Sequence, residues 1–220
     1  MISHNDMQKP VGLNEWAYNS IRSQIITDHI PPGTQLNIED LSKQLKISRT
    51  PIREALLRLA QDGLVCTESR VGFFVSGMTK KEFLEVCELR TIIESYAAER
   101  AAISMSPQQR TELEAIFQQF TASEGSNADA FVEIDDHFHG IIVDCLDNDK
   151  VRATMNSIAS LIYRFRTYIN ENDRCQAIAA HAEIVSAINE NNPEKARQAM
   201  IRHQKHNEVF LINRIPFDEA

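Results

Sequence analysis

Residues 36–75 read LNIEDLSKQLKISRTPIREALLRLAQDGLVCTESRVGFFV, and no other stretch restricts the fold of this chain so closely. Ile38, Leu41 and Leu45 recur at helical spacing, a break follows at 46–48, and Ile52, Ala55, Leu56 and Leu59 form a second stripe with Pro51 in its first turn. Two short helices joined by a tight turn make a helix-turn-helix pattern. After Gly63, residues 64–67 and 73–75 read as the strands of a β-hairpin wing, with Arg70 and Gly72 near its tip.

Arg49 and Arg53 lie four apart and share one side of the second helix, while Ile52, Leu56 and Leu59 claim the buried side. An arginine in a first turn opposes the positive end of the helix dipole. A phosphate or a guanine edge repairs that local conflict. Ser48, Thr50 and the N–H groups of the first turn can add phosphate contacts, and Arg49 can reach a base edge in a major groove. Arginines on one helix are more often just solvated. The two stripes, the paired cations and the wing together argue against that here.

The run SRTPIREALLRL, followed by GLV and by RVGFFV, resembles the winged helix-turn-helix of GntR-type bacterial transcription regulators. The resemblance implies DNA contacts through Arg49, Arg53 and the wing around Arg70 and Gly72. One departure stands out: Glu39 occupies the preceding helix where some relatives place a basic phosphate contact. That helix is therefore left out of the expected contacts.

At 220 residues, 43% of them hydrophobic, the chain is long enough for two compact units. No run approaches the roughly 20 apolar residues of a membrane span, and MISHNDMQKP lacks a secretory signal, so a cytoplasmic location is expected. The four cysteines, Cys66, Cys87, Cys145 and Cys175, are far apart and form no CxxC pair, which reads as reduced thiols with no redox role. Residues 1–77 carry 8 basic and 8 acidic residues, leaving 15 against 23 for the remainder and hence the whole net charge of −8. A neutral head binds DNA if its cations cluster, whereas an acidic body is repelled from phosphates.

The head is expected to start with a helix over 14–30, packed through Trp16, Ile21, Ile25 and Ile26, and to end at a joint near 76–78. Beyond Thr79 the sequence shows only helical patterns, over about 80–104, 107–122, 127–146, 149–170, 174–190 and 194–212, with breaks at proline, glycine and asparagine clusters. On the third of these, Asp135 and His139 share a side with Phe131, Phe138 and Ile142. His181 aligns with Ile178, Val185 and Ile188, and His203 with Ala196, Met200, Asn207 and Phe210. A polar group buried without a partner costs about 1–3 kcal/mol, so one carboxylate and three imidazoles on apolar stripes need a common explanation, which a divalent metal supplies. This donor set suits zinc, nickel or another late first-row ion better than calcium or magnesium. A lone histidine would be read as an ordinary core residue, and His137, His206, His4 and His29 are left out of the set.

Residues 79–214 resemble the all-helical FCD effector domain of the FadR-type branch of the GntR family. Its metal-binding members use an Asp-x-x-x-His pair and two later histidines, which places the ligand roles on Asp135, His139, His181 and His203. Arg90, in VCELRTIIESYAAERAA, needs an anion on its apolar side: either Glu94 one turn on, or the carboxylate of a small metabolite. The family pattern E-x-R-x-x-x-E, matched by ELRTIIE, implies the metabolite. Arg164 and Arg166 are read as solvated, with the same cavity as their alternative site.

The expectation is thus a mainly α chain: a winged helix-turn-helix over 1–77 and an all-α, FCD-like bundle over 78–220 that binds metal and effector and dimerises. A homodimer reads the two halves of a palindromic operator, by default as a repressor relieved by a small organic acid that shifts the placement of its heads, with activation as the other sign of the same switch. Two alternatives remain at this level. One is a metal-dependent hydrolase or lyase carrying a DNA-binding head, although HAEIV breaks the HExxH spacing; the other is a regulator whose metal is purely structural.

Overall fold

Proline sets the furthest limit of the first helix. Ile30 precedes Pro31 and Pro32, and a residue before proline is driven out of helical conformation. In the computed structural model, which describes residues 12–27, 29–69, 71–122, 128–166, 168, 171–215 and 217, α1 (Leu13–Ile26) accordingly closes at Ile26 rather than at Ile30. The chain separates into two units, residues 1–77 and 78–220.

In the first unit, α1 is followed by β1 (Gln35–Leu36), α2 (Ile38–Leu45), α3 (Arg49–Gln61), β2 (Val65–Glu68) and β3 (Gly72–Val75). Asn37 starts α2: its Oδ1 accepts from the backbone N–H of Glu39 at 2.8 Å and of Asp40 at 3.3 Å, satisfying two of the orphan donors at a helix start. Lys46 ends it in the left-handed conformation at φ 55°, which reverses the chain into α3. Ile21, Ile25, Ile52, Leu56, Leu59 and Leu64 are fully buried between α1, α3 and the sheet. Two polar contacts fasten α1 to the far end of α3: Arg58 donates to Glu15 at 2.6 Å, and Tyr18 donates to Asp62 at 2.6 Å.

The wing is antiparallel, with Val65 opposite Val75 and Thr67 opposite Phe73. It gains a third strand that the sequence did not announce. β1 pairs with β3 through Gln35 and Leu36, in the sheet order β1-β3-β2. Gly72 takes φ +139°, where side chains are rarely tolerated, and an added Cβ would lie 3.4 Å from Gln35 Nε2.

The second unit comprises α4 (Lys80–Ser104), α5 (Pro107–Ala122), α6 (Ala128–Asp144), α7 (Asp149–Arg166), α8 (Glu171–Asn189) and α9 (Pro193–Leu211). A capping box opens α4, with Glu82 N–H donating to Thr79 Oγ1 and Thr79 N–H donating to Glu82 Oε2. Helix α4 packs along α9 and also touches α6, α7 and α8, so four helices can deliver side chains to one place. Phe120, Phe131 and Phe138 are fully buried beside that place, and the rings of Phe120 and Phe138 lie 4.7 and 4.4 Å from the His181 ring. None of the four cysteines is bonded to another. Burial pushes the Cys87 and Cys145 thiols up to about 11, so both stay protonated and inert near neutrality. No helix among the described residues is long and apolar enough to cross a membrane.

Candidate nucleic-acid interface and candidate metal centre

Helix α3 begins without an acidic residue in its first turn, and Ser48 precedes it without its side chain capping the helix. Ser48, Arg49, Thr50 and Arg53 are all exposed. The expected DNA-facing side chains therefore share one open surface, while Ile52, Leu56 and Leu59 are buried behind them. Gly72 is half-buried, and its backbone conformation already accounts for a glycine there. Arg70 lies outside the described residues. One partner escaped sequence reasoning: Glu39 of α2 meets Arg49 Nη2 at 2.8 Å. The two residues face each other only because the turn at 46–48 folds α3 back across α2.

In the second unit, Asp135 and His139 stand one turn apart on α6, His181 on α8 and His203 on α9, and all four are buried. His181 Nε2 lies 3.3 Å from His139 Nε2 and 3.2 Å from His203 Nε2. Asp135 Oδ1 is 3.4 Å from His181 Nε2 and 3.7 Å from His139 Nε2. A tetrahedral ion with bonds of about 2.0–2.1 Å spaces its donors by about 3.3 Å, the spacing of His181 Nε2 from each of the other two rings. The three imidazoles, with ligand nitrogens within 4.8 Å of one another, form a group that could hold an ion, and Asp135 stands beside two of them. Proton counting points the same way. His181 Nε2 carries either one proton or one lone pair, which completes one of its two imidazole contacts and not both. A cation among the three rings resolves that conflict. Burial holds the His203 imidazole well below its ordinary range, and His181 and His139 push it further down. A neutral ring is the form that ligates metal.

Glu94 of α4 organises the side of this group nearest Arg90. It lies 2.7 Å from His139 Nδ1, accepts from Arg90 Nε at 2.8 Å, and accepts from Gln204 Nε2 of α9. Burial alone would raise its carboxyl, but the Arg90 charge, with the neighbouring His139 ring, outweighs it and holds Glu94 well below the usual carboxylate range. A carboxylate beside Nδ1 favours the ring tautomer with its proton there, which leaves the Nε2 lone pair facing His181. Of the two anions weighed for Arg90, Glu94 is thus in place. Its role toward His139 was not foreseen, nor was Gln204, although 200, 203, 204 and 207 form a recognisable inward stripe on α9. Asn207 of that stripe places Nδ2 3.2 Å from His203 Nε2.

A cleft of about 190 Å³ between α6 and α7 reaches Glu94 and His139, with Val143, Met155 and Ile162 as apolar wall and Asp136, Asp144 and Arg152 among its polar residues. Arg90 is not among the described residues that line it. His137 and His206, left out of the ligand set, are exposed. His29, also left out of the ligand set, places Nδ1 2.7 Å from Thr27 Oγ1. His4 and the side chains of Arg164 and Arg166 lie outside the described set.

Comparison with known proteins agrees with both halves. Residues 13–75 match the model of the bacterial regulatory proteins of the gntR family, and residues 85–206 match the FCD domain. The chain is 28% identical over 194 residues to the HTH-type transcriptional repressor RspR of Escherichia coli (strain K12), covering 87% of this chain and 85% of that one. It is 29% identical over 187 residues to the Nta operon transcriptional regulator of Aminobacter aminovorans, covering 84% and 89%. Among solved structures, E. coli McbR/YncC superposes with a TM-score of 0.78 at 21% identity, covering 93% of this chain and 99% of that one. At that identity the likeness speaks for the fold alone. The relatives are transcription regulators, which removes the hydrolase or lyase alternative. Regulators of this kind bind operator DNA and act as dimers. The chain belongs to the GntR family: it is a DNA-binding transcription regulator whose second unit is an FCD effector domain.

Proposed function

We propose that the protein is a repressor whose hold on a palindromic operator is released by a small carboxylate metabolite bound beside a transition metal. The observation that carries this reading is the convergence of three buried imidazoles, with His181 Nε2 3.3 Å from that of His139, 3.2 Å from that of His203 and 3.4 Å from Asp135 Oδ1, beside a cleft that His139 lines. Zinc or nickel suits three imidazoles and one carboxylate. The metal supplies an electrophilic point for an acid's oxygen.

The chain's own residues do the rest. Glu94 aims His139, Arg90 keeps Glu94 ionised, and the guanidinium donors that Arg90 does not spend on Glu94 add attraction for an incoming carboxylate. In the head, Ser48, Arg49, Thr50 and Arg53 form the DNA-reading surface, with Arg70 and Gly72 on the wing. Repression is supported by the RspR relative, a repressor by name. The acid favours one arrangement of the paired heads over another, which is how a ligand in one unit acts on DNA bound by the other.

The test is a thermal-shift screen of mono-, di- and tricarboxylates with and without added zinc or nickel, since a ligand selective for the native state stabilises it by mass action. Stabilisation by an acid only when metal is present supports the reading. Loss of the fold on chelation with no response to any acid would instead make the metal purely structural.

A further inference from the structure

The Glu39–Arg49 pair joins the middle of the reading surface to a residue whose charge is wrong for DNA. Glu39 and Arg49 meet at 2.8 Å while remaining 55% and 69% exposed, beside Thr50 and Arg53 in the concavity between α2 and α3. An exposed ion pair contributes little to stability, so folding alone does not require it. Glu39 does suit the first turn of α2, where a carboxylate favours the helix dipole. Asp40 beside it meets that need equally, without touching Arg49.

We infer that Glu39 is a specificity-determining residue of DNA reading, acting by occupying Arg49 until a guanine edge competes for it. This rests on the assignment of Arg49 to the major groove made above. Away from its site, the pair presents no net charge to the phosphates, and the Glu39 carboxylate repels them. Non-specific binding, which counts phosphates neutralised, is thereby weakened. At the proper base pair, guanine N7 and O6 accept two donors from one arginine, a geometry that no single phosphate contact reproduces. Glu39 then holds one edge of the guanidinium while another edge faces the base, which narrows the orientations Arg49 can adopt. A basic residue at position 39 would add one phosphate contact everywhere. The carboxylate gives up that affinity for discrimination.

The experiment uses the full-length protein, its Glu39→Gln variant and its Arg49→Ala variant. Each is measured by fluorescence anisotropy on a duplex selected by the unmodified protein from a random library and on a scrambled duplex, across a salt series. For Glu39→Gln, binding to the scrambled duplex tightens, its log-affinity against log-salt slope steepens by about one, and the ratio of selected to scrambled affinity falls. Libraries selected with this variant lose base preference at the pairs that Arg49→Ala also relaxes. Unchanged slope and ratio in Glu39→Gln overturn the inference, and so does equal weakening on both duplexes. If Arg49→Ala keeps the original ratio and preference, the assignment of Arg49 itself fails, whatever Glu39→Gln shows.

Discussion

Glu94 has no exposed surface and serves Arg90, His139 and Gln204 at once, so its removal strands a buried guanidinium and loosens a proposed metal ligand together. Glu94→Ala is expected to cost about 3–5 kcal/mol in urea unfolding, the usual penalty for breaking a buried ion pair. It should also weaken metal binding by about 10–100-fold, as loss of a carboxylate behind a ligating histidine does. A variant as stable as its parent would contradict this arrangement. His203→Ala should lose its metal by elemental analysis while keeping its helical circular dichroism; a full metal complement would remove His203 from the ligand set. In the head, Arg49→Ala is expected to cost about 1–3 kcal/mol of operator affinity if the contact is bidentate to guanine. The convergence of Asp135, His139, His181 and His203 was legible because polar side chains interrupt apolar stripes. Glu94 was legible only halfway: its spacing from Arg90 shows in the sequence, but its approach to His139 depends on how α4 meets α6.

Helix limits were legible where the sequence punctuates them. Thr79 and Ser106-Pro107 bracket α4 and α5 at the expected residues, 80–104 and 107–122. Boundaries drifted at the breaks marked only by asparagine and aspartate: α6 stops at Asp144 and breaks into turns before Asp147, and α8 starts at Glu171, ahead of the expected 174. The two residues of β1 carry no periodicity at all, and they become a strand only because β3 lies beside them. The Glu39–Arg49 contact was hidden for a similar reason, since it joins two helices whose mutual angle is set by the turn at Lys46. At this scale, Asn37→Ala removes the side-chain cap of α2 and is expected to destabilise the head by about 1 kcal/mol. Hydrogen exchange of the α2 amides checks it: protection of Glu39 and Asp40 should fall, and unaltered exchange would mean that the cap contributes nothing.

For the whole molecule, the division of charge follows the division of labour. A head with equal numbers of acids and bases gathers Arg49 and Arg53 on one face, while the acidic remainder of the chain encloses the buried histidine cluster proposed to hold a metal cation beside an organic anion. Family membership and fold were open to sequence reasoning because both halves carry dense, position-specific patterns. The ligand's identity was not, because a cleft takes its shape from α6 and α7 packing together and not from any local motif. The most direct measurement is the affinity of the full-length protein for its selected duplex, titrated with small carboxylates in the metal-loaded and chelated states. At least one acid should weaken binding when metal is present and leave it unchanged after chelation or in His203→Ala. DNA affinity indifferent to every acid, with metal fully bound, would contradict the account.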